Sequence, residues 1–261
     1  MDRSDRLARL AEFIVENGSV HVDQVCEHFD VSAATARRDL DLLAEQQLVM
    51  RTRGGAMVNP GSGDLPLRYR TVRASREKQR IALAAAGLVV PGQVIAFNGG
   101  TTTTSAAYEV GVRAAGDQLF RDAGTTVVTN AVNIANDLMV RPQLRVVVTG
   151  GVARQQSYEL IGPLAPQLLP EISIDTLFLG VSAIDPERGL FAFHEGEAAI
   201  NAAMVSWARR TVVLADSSKL QATAFARICG LGDIHAVITD GEIADASVAS
   251  LERAGLEVTV V

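Results

Sequence analysis

Short apolar runs alternate with helical stretches from about residue 77 to the end of the chain, and no other feature restricts the fold as strongly. The runs are rich in β-branched side chains, as expected of strands covered on both faces. They are Val94–Phe97, Thr126–Thr129, Arg145–Thr149, Thr176–Leu179, Thr211–Leu214, Ala236–Thr239 and Glu257–Val261. The stretches with helical spacing between them are Arg76–Val89, Ala131–Met139, Glu197–Ala208 and Ser247–Ala254. The alternation predicts an α/β domain over 77–261, Rossmann-like, with a mostly parallel sheet.

Residues 1–58 have a different pattern, which predicts a winged helix-turn-helix. Apolar side chains recur at helical spacing in two successive segments, and Ser32 is placed to cap a third helix that runs to Gln46. Arg53-Gly54-Gly55 then forms a turn between two short strands. Residues 59–76 are predicted as a linker, because Asn59–Asp64 is rich in Pro, Gly and Ser and a basic stretch follows it.

Composition excludes several classes of protein. Lys+Arg 24 against Asp+Glu 30 gives a net charge of −6, which argues against a chain that coats nucleic acid or an anionic membrane. Two cysteines are too few for a disulfide framework or a cysteine zinc site. The N-terminus does not resemble a signal peptide, and no apolar run reaches the length of a membrane span. We therefore expect a cytoplasmic protein with no metal, no cofactor and no membrane partner.

The predicted third helix carries a candidate DNA-reading face. Its small first-turn residues, Ala34 and Thr35, permit close approach to a duplex. Arg37 and Arg38 follow on the outward side, and arginine binds guanine edges or phosphates. An ordinary solvated helix face is the alternative reading. The predicted DNA contacts, two of them on the hairpin, are Ser32, Ala34, Thr35, Arg37, Arg38, Arg51 and Arg53.

A loop rich in glycine and threonine follows the strand Val94–Phe97 and begins a helix. Glycine lets the backbone approach a ligand, and a helix N-terminus presents N–H groups to an anion. The loop lacks the lysine of nucleotide-binding loops, and a plain strand-to-helix turn is the alternative. Because such loops meet at the carboxyl edge of a parallel sheet, we predict a phosphate-binding crevice there. Its candidate residues are Asn98, Gly99, Gly100, Thr101, Thr102, Thr103, Asn130, Gly150, Gly151, Asp175, Glu197 and Lys219.

The run Val31–Leu40, followed by Arg53-Gly54-Gly55-Ala56, resembles the N-terminal signature of DeoR-type transcriptional repressors. The rest of the chain matches that family's sensor domain in order, so the resemblance covers nearly the whole sequence. The matching segments are Gly99–Thr103, Val127–Asn130, Thr149–Gly151, Asp175–Gly180 and Asp216–Lys219. The resemblance implies a repressor of a carbohydrate operon with a sensor similar to the ribose-5-phosphate isomerase fold. It also implies operator double-stranded DNA and a phosphorylated sugar effector as partners, and a homodimer or homotetramer.

The sequence departs from the family pattern at three positions. Ala36 stands where a β-branched residue is common, Asn98 where many members carry aspartate, and Asn201 where many carry lysine. The last two leave the identity of the sugar open.

A sugar-phosphate isomerase, with Asp175, Glu197 and Lys219 as acid–base groups, is the alternative function; such an enzyme has no use for residues 1–57. A phosphosugar-binding module that contacts another protein is a third, weaker option.

Overall fold

The computed structural model describes residues 3–46, 48–58, 67 and 75–261. They belong to two compact units, Met1–Arg73 and Ala74–Val261. The segment Asn59–Asp64, which we predict as part of a linker, lies outside the described residues. So do three arginines of the basic stretch, Arg68, Arg70 and Arg73.

The first unit is a winged helix, as the sequence predicts. Its elements are α1 (Arg3–Asn17), β1 (Ser19–His21), α2 (Val22–Phe29), α3 (Ala33–Glu45), β2 (Val49–Thr52) and β3 (Gly55–Val58). The three strands form an antiparallel sheet in the order β1-β3-β2. Strand β1 is missed by the sequence reading because it is short and its alternation comes from a single buried residue, Val20.

Glycine is required at the start of β3, where this strand of the wing (the β2–β3 hairpin) pairs with β1. A Cβ at Gly55 would lie 1.9 Å from the carbonyl oxygen of Val20, which no side chain can accommodate. Leu10, Ile14 and Leu40 are fully buried in the core of this unit, and Ala36 is buried with them. The small residue at position 36 therefore affects packing and not the exposed face of α3.

A buried ion pair joins α1 to α3. Arg6 Nε lies 2.7 Å from Asp39 Oδ2, and the two side chains are 17% and 3% exposed. A second guanidinium nitrogen lies 3.4 Å from Asp39 Oδ1, so the contact is bidentate. A carboxylate at this depth is tolerated because an opposite charge faces it. No local pattern in the sequence indicates this pair, because its members are 33 residues apart.

We expect Asp39→Ala to lower the free energy of unfolding of the winged helix by about 3 kcal/mol, because it removes the carboxylate that balances Arg6. Asp41→Ala is the matched control on the same helix. Its carboxylate pairs with Arg51 but is 58% exposed, so we expect a loss below about 1 kcal/mol. Chemical denaturation of the full chain, followed by circular dichroism, measures both. Equal losses for the two variants would contradict this assignment.

The second unit is built on a seven-stranded sheet. Every strand pair in it is parallel, in the order β15-β14-β12-β9-β4-β5-β6. These strands are β4 (Val94–Phe97), β5 (Thr126–Thr129), β6 (Arg145–Val148), β9 (Ile174–Gly180), β12 (Ala208–Leu214), β14 (Ala236–Thr239) and β15 (Glu257–Val260). They are the seven strands that the sequence predicts, with small differences at the ends.

Helices cover both faces of this sheet. They are α4 (Ser75–Gly87), α5 (Thr101–Gly116), α6 (Gln118–Ala123), α7 (Val132–Leu138), α8 (Glu195–Trp207) and α9 (Asp245–Arg253). Alternate residues of β9 enter different cores: Phe178 packs with residues of α4, α5 and α7, whereas Leu177 packs with residues of α8 and α9. Burial on both faces explains why the strands appear in the sequence as continuous apolar runs.

Two small antiparallel sheets were not predicted. A hairpin consists of β7 (Val152–Ala153) and β8 (Leu160–Ile161). A three-stranded sheet contains β10 (Ala183–Asp185), β11 (Gly189–Ala192) and β13 (Ala226–Cys229). Such short strands have little periodicity of their own, so tertiary packing decides whether they form. No helix in the described ranges is long and apolar enough to span a membrane.

The chain reverses its direction of travel across the sheet at β4. From β4 it proceeds outward through β5 to β6, and it then returns to β9, on the other side of β4, and proceeds to β15. The carboxyl ends of β4 and β9 therefore flank a topological switch point, which in parallel α/β sheets opens a crevice for ligands.

Candidate functional site

Helix α3 begins with a side-chain cap. Ser32 Oγ accepts a hydrogen bond from the Thr35 N–H at 3.2 Å and lies 3.0 Å from the Thr35 hydroxyl. The N-cap predicted at Ser32 is therefore present, and it fixes the start of the helix that would enter a major groove.

The outward face of α3 presents small and cationic residues. Ala34, Arg37 and Arg38 are exposed. In the described part of the chain, neither guanidinium makes an ion pair or a hydrogen bond. Because these charges are not committed to the fold, they are available for an external anion or base edge.

Arg51, which is predicted to contact DNA, makes two contacts within the first unit. Its Nε lies 2.8 Å from Asp41 Oδ1 on α3, and its Nη1 donates to the carbonyl oxygen of Gly55 at 2.6 Å. These contacts hold the wing against α3, and the DNA contact of Arg51 stays a prediction. Arg53 remains exposed at the turn of the wing.

In the second unit, α5 starts at the switch point without a side-chain cap. Its N-cap residue is Gly100, which has no side chain to accept from the first N–H groups. Thr102, in the first turn, is 6% exposed, and its hydroxyl has no hydrogen-bond partner among the described residues. Free N–H groups at the start of a helix of this length favour an anion.

Not every hydroxyl of the threonine run faces a ligand. Thr103 and Thr104 donate to the carbonyl oxygen of Gly100 at 3.2 and 2.6 Å, and Ser105 donates to the carbonyl oxygen of Thr101 at 3.1 Å. The Thr103 side chain is fully buried and bonds to the helix backbone, so its hydroxyl proton is already used within α5.

Asn98 also has a structural role. Its Nδ2 donates to the carbonyl oxygen of Gly180 at 2.9 Å, and its Oδ1 accepts from the Gly180 N–H at 2.7 Å. The side chain thus joins the ends of β4 and β9, and at 1% exposure it is not a surface of the crevice. The predicted ligand contact of Asn98 would therefore compete with these two hydrogen bonds.

We expect Asn98→Asp to lower the free energy of unfolding at neutral pH by about 1–3 kcal/mol. A carboxylate can accept from the Gly180 N–H but cannot donate to the Gly180 carbonyl oxygen, which is left facing a negative charge. Acidification should reduce the difference from the parent chain, since a protonated carboxyl regains a donor. Denaturation at neutral and at acidic pH measures this. A variant as stable as the parent at neutral pH would contradict the assignment.

The β7–β8 hairpin lies against the loops that follow β4 and β5. The Leu160 N–H donates to the carbonyl oxygen of Asn130 at 2.6 Å, and the Val132 N–H donates to that of Tyr158 at 2.9 Å. A Cβ at Gly151 would lie 2.7 Å from the carbonyl oxygen of Ile161, so glycine is needed where the chain enters the hairpin. The structure thus brings Asn130 and Gly151 to the same edge of the sheet as the start of α5.

Two charged residues of the hairpin were missed by the sequence reading. Arg154 Nη1 lies 3.0 Å from Glu197 Oε1 on α8, with the side chains 12% and 9% exposed. Glu159 is buried, and a Cβ on Gly99 would lie 2.3 Å from its Cγ. The sequence does place this arginine and this glutamate close to Gly150-Gly151, and that was the available signal. Their contacts with Glu197 and Gly99, however, depend on how the hairpin packs.

Lys219 lies in a short 3₁₀ turn, Ser217–Leu220, that follows β12. Asp240 fixes this turn by accepting the Ser217 N–H at 2.7 Å. Burial raises the pKa of Asp240, but hydrogen bonds from the N–H groups of Ser217 and Glu242 outweigh that effect and lower it overall. The carboxylate is therefore ionised at neutral pH and holds the turn that presents Lys219.

Asp175 lies at the opposite edge of the sheet, which corrects our prediction. It is near the amino end of β9, where its Oδ2 accepts the Val94 N–H at 2.9 Å. Asp175 cannot join Glu197 and Lys219 at the carboxyl edge, and Glu197 already pairs with Arg154. The acid–base set of the isomerase alternative is therefore not assembled. Cys229 supplies no nucleophile either, since burial, with a contribution from Asp233, raises its pKa to about 11.

A winged helix with exposed arginines on its third helix, followed by a parallel α/β unit with a topological switch point, is the arrangement expected of a DNA-binding regulator with a sensor domain. Comparison with known proteins agrees: residues 6–60 match the DeoR-like helix-turn-helix domain, and residues 73–241 match the DeoR C terminal sensor domain. The chain belongs to the DeoR family of transcriptional repressors, and its relatives are regulators and not enzymes.

Three relatives are similar over nearly their whole length. The glycerol-3-phosphate regulon repressor of Escherichia coli (strain K12) is 30% identical over 240 residues, 92% of each chain. The repressor GlcR of Bacillus subtilis (strain 168) is 30% identical over 263 residues, 100% of this chain and 97% of that protein. The repressor CsqR of Escherichia coli (strain K12) is 32% identical over 238 residues, 91% and 87% of the two chains.

Among solved structures, the chain is similar to ribose 5-phosphate isomerase A from Methanocaldococcus jannaschii. The TM-score is 0.40 with 22% identity, over 56% of this chain and 55% of that chain.

Proposed function

We propose that this repressor controls a carbohydrate catabolic operon and that a phosphorylated sugar, bound at the carboxyl edge of the sensor sheet, changes its affinity for operator DNA. The observation that carries the proposal is the uncapped start of α5 at the switch point between β4 and β9. N–H groups of the first turn, the Thr102 hydroxyl and Lys219 would hold the phosphate.

Operator contacts would come from the N-terminal part of α3 and from the wing. Arg37 and Arg38 are the exposed cations of the helix, Ala34 permits close approach, and Arg53 would reach the sugar-phosphate backbone. Ser32 and Thr35 would fix the start of the helix through the cap described above. A homodimer or homotetramer acting in the cytoplasm would present two such helices to a two-fold operator.

Binding of the effector must favour one arrangement of the protein over another, or it cannot alter DNA affinity. The route that we propose starts at the Asp216–Lys219 loop. Lys78 on α4, a buried residue, has its Nζ 4.0 Å from Asp216 Oδ2. Helix α4 follows the segment that joins the two units. A movement of the Asp216–Lys219 loop would therefore be transmitted by the Lys78 side chain to α4 and so to the linker.

A gel shift on the DNA upstream of the protein's own gene, with a panel of sugar phosphates, tests the DNA role, the effector class and the coupling together. We expect the protein to bind this DNA with an affinity that falls as the salt concentration rises, because the contacts are to phosphates. At least one sugar phosphate should either release the complex or tighten it. A protein that ignores the upstream DNA, or a complex that no sugar phosphate alters, would contradict the proposal. Sedimentation of the free protein measures the subunit number.

A further inference from the structure

An ion pair joins the wing to the exposed side of α3. Arg51, on β2, has its Nε 2.8 Å from Oδ1 of Asp41, and its Nη1 donates to the carbonyl oxygen of Gly55 at 2.6 Å. The protein therefore fixes the planar guanidinium at two of its three nitrogens. The third nitrogen, Nη2, makes no hydrogen bond or ion pair within the described residues, so its two N–H groups are available to an external acceptor.

Asp41 is an acidic side chain on the helix face that we propose for operator DNA. It follows Arg37 and Arg38 by four and three residues, so it lies one turn further along the same exposed face. A carboxylate there is unfavourable near DNA phosphates, because like charges repel. At this spacing it could also engage the two arginines of its own helix, but it pairs with Arg51 instead.

The stability of the unit gives little reason for this pair. Its two side chains are 32% and 58% exposed, and exposed ion pairs contribute at most about 1 kcal/mol. The buried pair of Arg6 and Asp39 already joins α1 to α3. What Asp41 does provide is orientation. A guanidinium that is held at Nε and Nη1 presents its remaining donors in one direction, so less entropy is lost when a phosphate binds to them.

We infer that Asp41 is a positioning residue for operator binding, which holds the Arg51 guanidinium in the orientation that binds a DNA phosphate. This role rests on the proposed function, since it requires α3 and the wing to meet the operator. Asp41 itself contacts no DNA in this arrangement, because its carboxylate is directed to Arg51. The expected effect of removing its charge is therefore opposite in sign to that of simple electrostatics, by which the loss of a carboxylate strengthens DNA binding.

Quantitative gel shifts of the full chain test this, on the DNA upstream of its own gene and on a scrambled duplex, at several salt concentrations. We expect Asp41→Asn, which keeps the shape of the side chain, to weaken binding to the upstream DNA by about fivefold or more. The dependence of affinity on salt should become shallower by about one phosphate contact, as it should for Arg51→Ala. A smaller fraction of folded protein would instead lower the apparent affinity equally at every salt concentration.

A double variant shows whether Asp41 acts through Arg51. In an Arg51→Ala background the carboxylate has no guanidinium to position, so Asp41→Asn should leave the affinity unchanged or raise it. Glu45→Gln is the matched control. Glu45 is exposed one turn further along α3, and its carboxylate makes no ion pair or hydrogen bond in the part of the chain that the structure describes. Neutralising it should give an affinity equal to or above that of the parent.

An Asp41→Asn protein that binds the upstream DNA at least as tightly as the parent would overturn the inference. Weakened binding with an unchanged salt dependence would also overturn it. So would an equal loss from Asp41→Asn in the parent and in the Arg51→Ala background, because Asp41 would then act without Arg51. An equal loss from Glu45→Gln would have the same consequence. A parent protein that binds neither duplex would overturn the proposed function, and this role of Asp41 with it.

Discussion

Thr102→Glu should abolish the response of the DNA complex to the effector while leaving operator binding in place. The new carboxylate would lie in the first turn of α5, where the helix N–H groups favour a negative charge, and would occupy the proposed anion site itself. A phosphate that approached would meet a fixed like charge. Since an acidic residue in the first turn supports a helix, we expect α5 to remain folded. Gel shifts across a series of effector concentrations measure the loss.

Thr102→Gln is the matched control, because it has the same added length without the charge. It should keep part of the response at higher effector concentration, and thermal unfolding of both variants should show that the second unit remains folded. A Thr102→Glu protein that releases the operator at the same effector concentration as the parent would move the phosphate elsewhere. Loss of operator binding by a folded Thr102→Glu protein would contradict the separation of the two roles.

Arg38→Ala should weaken operator binding by about 1–3 kcal/mol if the guanidinium contacts a base edge, with reduced discrimination between operator variants. If it contacts a phosphate, the loss should be similar on all sequences, and the dependence of affinity on salt should become shallower. Either outcome follows from an exposed guanidinium that is not engaged within the described residues. Quantitative gel shifts at several salt concentrations, on operator and scrambled DNA, distinguish them.

Arg145→Ala provides a control for the general loss of one positive charge. Arg145 is an exposed residue at the start of β6 in the sensor unit, and its removal should leave operator affinity nearly unchanged. An Arg38→Ala protein with the affinity of the parent would remove this residue from the interface. The same result for Arg37→Ala as well would place the DNA contacts away from the exposed face of α3.

Patterns of local origin were sufficient to predict most of the architecture. The strands of the sheet are apolar on both sides because helices cover both faces, so each one is visible as a run such as Thr126–Thr129 or Ala236–Thr239. The cap at Ser32 also depends on neighbours in the chain, and its hydrogen bond to Thr35 is found as predicted. Where a role depends on residues within one turn or one strand, the sequence contains the necessary information.

Roles that depend on distant partners were decided by tertiary structure. Asn98 was predicted to contact a ligand, but Gly180, on another strand, engages both of its polar groups. Asp175 shares a strand with residues near the crevice but lies at the other end, because its position along β9 and the parallel register set its edge. Arg51 is committed to Asp41 across the wing.

The sequence by itself determined the two types of unit, the order of the parallel strands along the chain and the loop that begins α5, because propensity and periodicity are local properties. Only the tertiary structure decided which side chains border the crevice. The β7–β8 hairpin has too few residues to form a stable sheet alone, and it brings Glu159 to Gly99 and Arg154 to Glu197 only when it packs on the rest of the unit. The charge around the proposed effector site is therefore a property of packing.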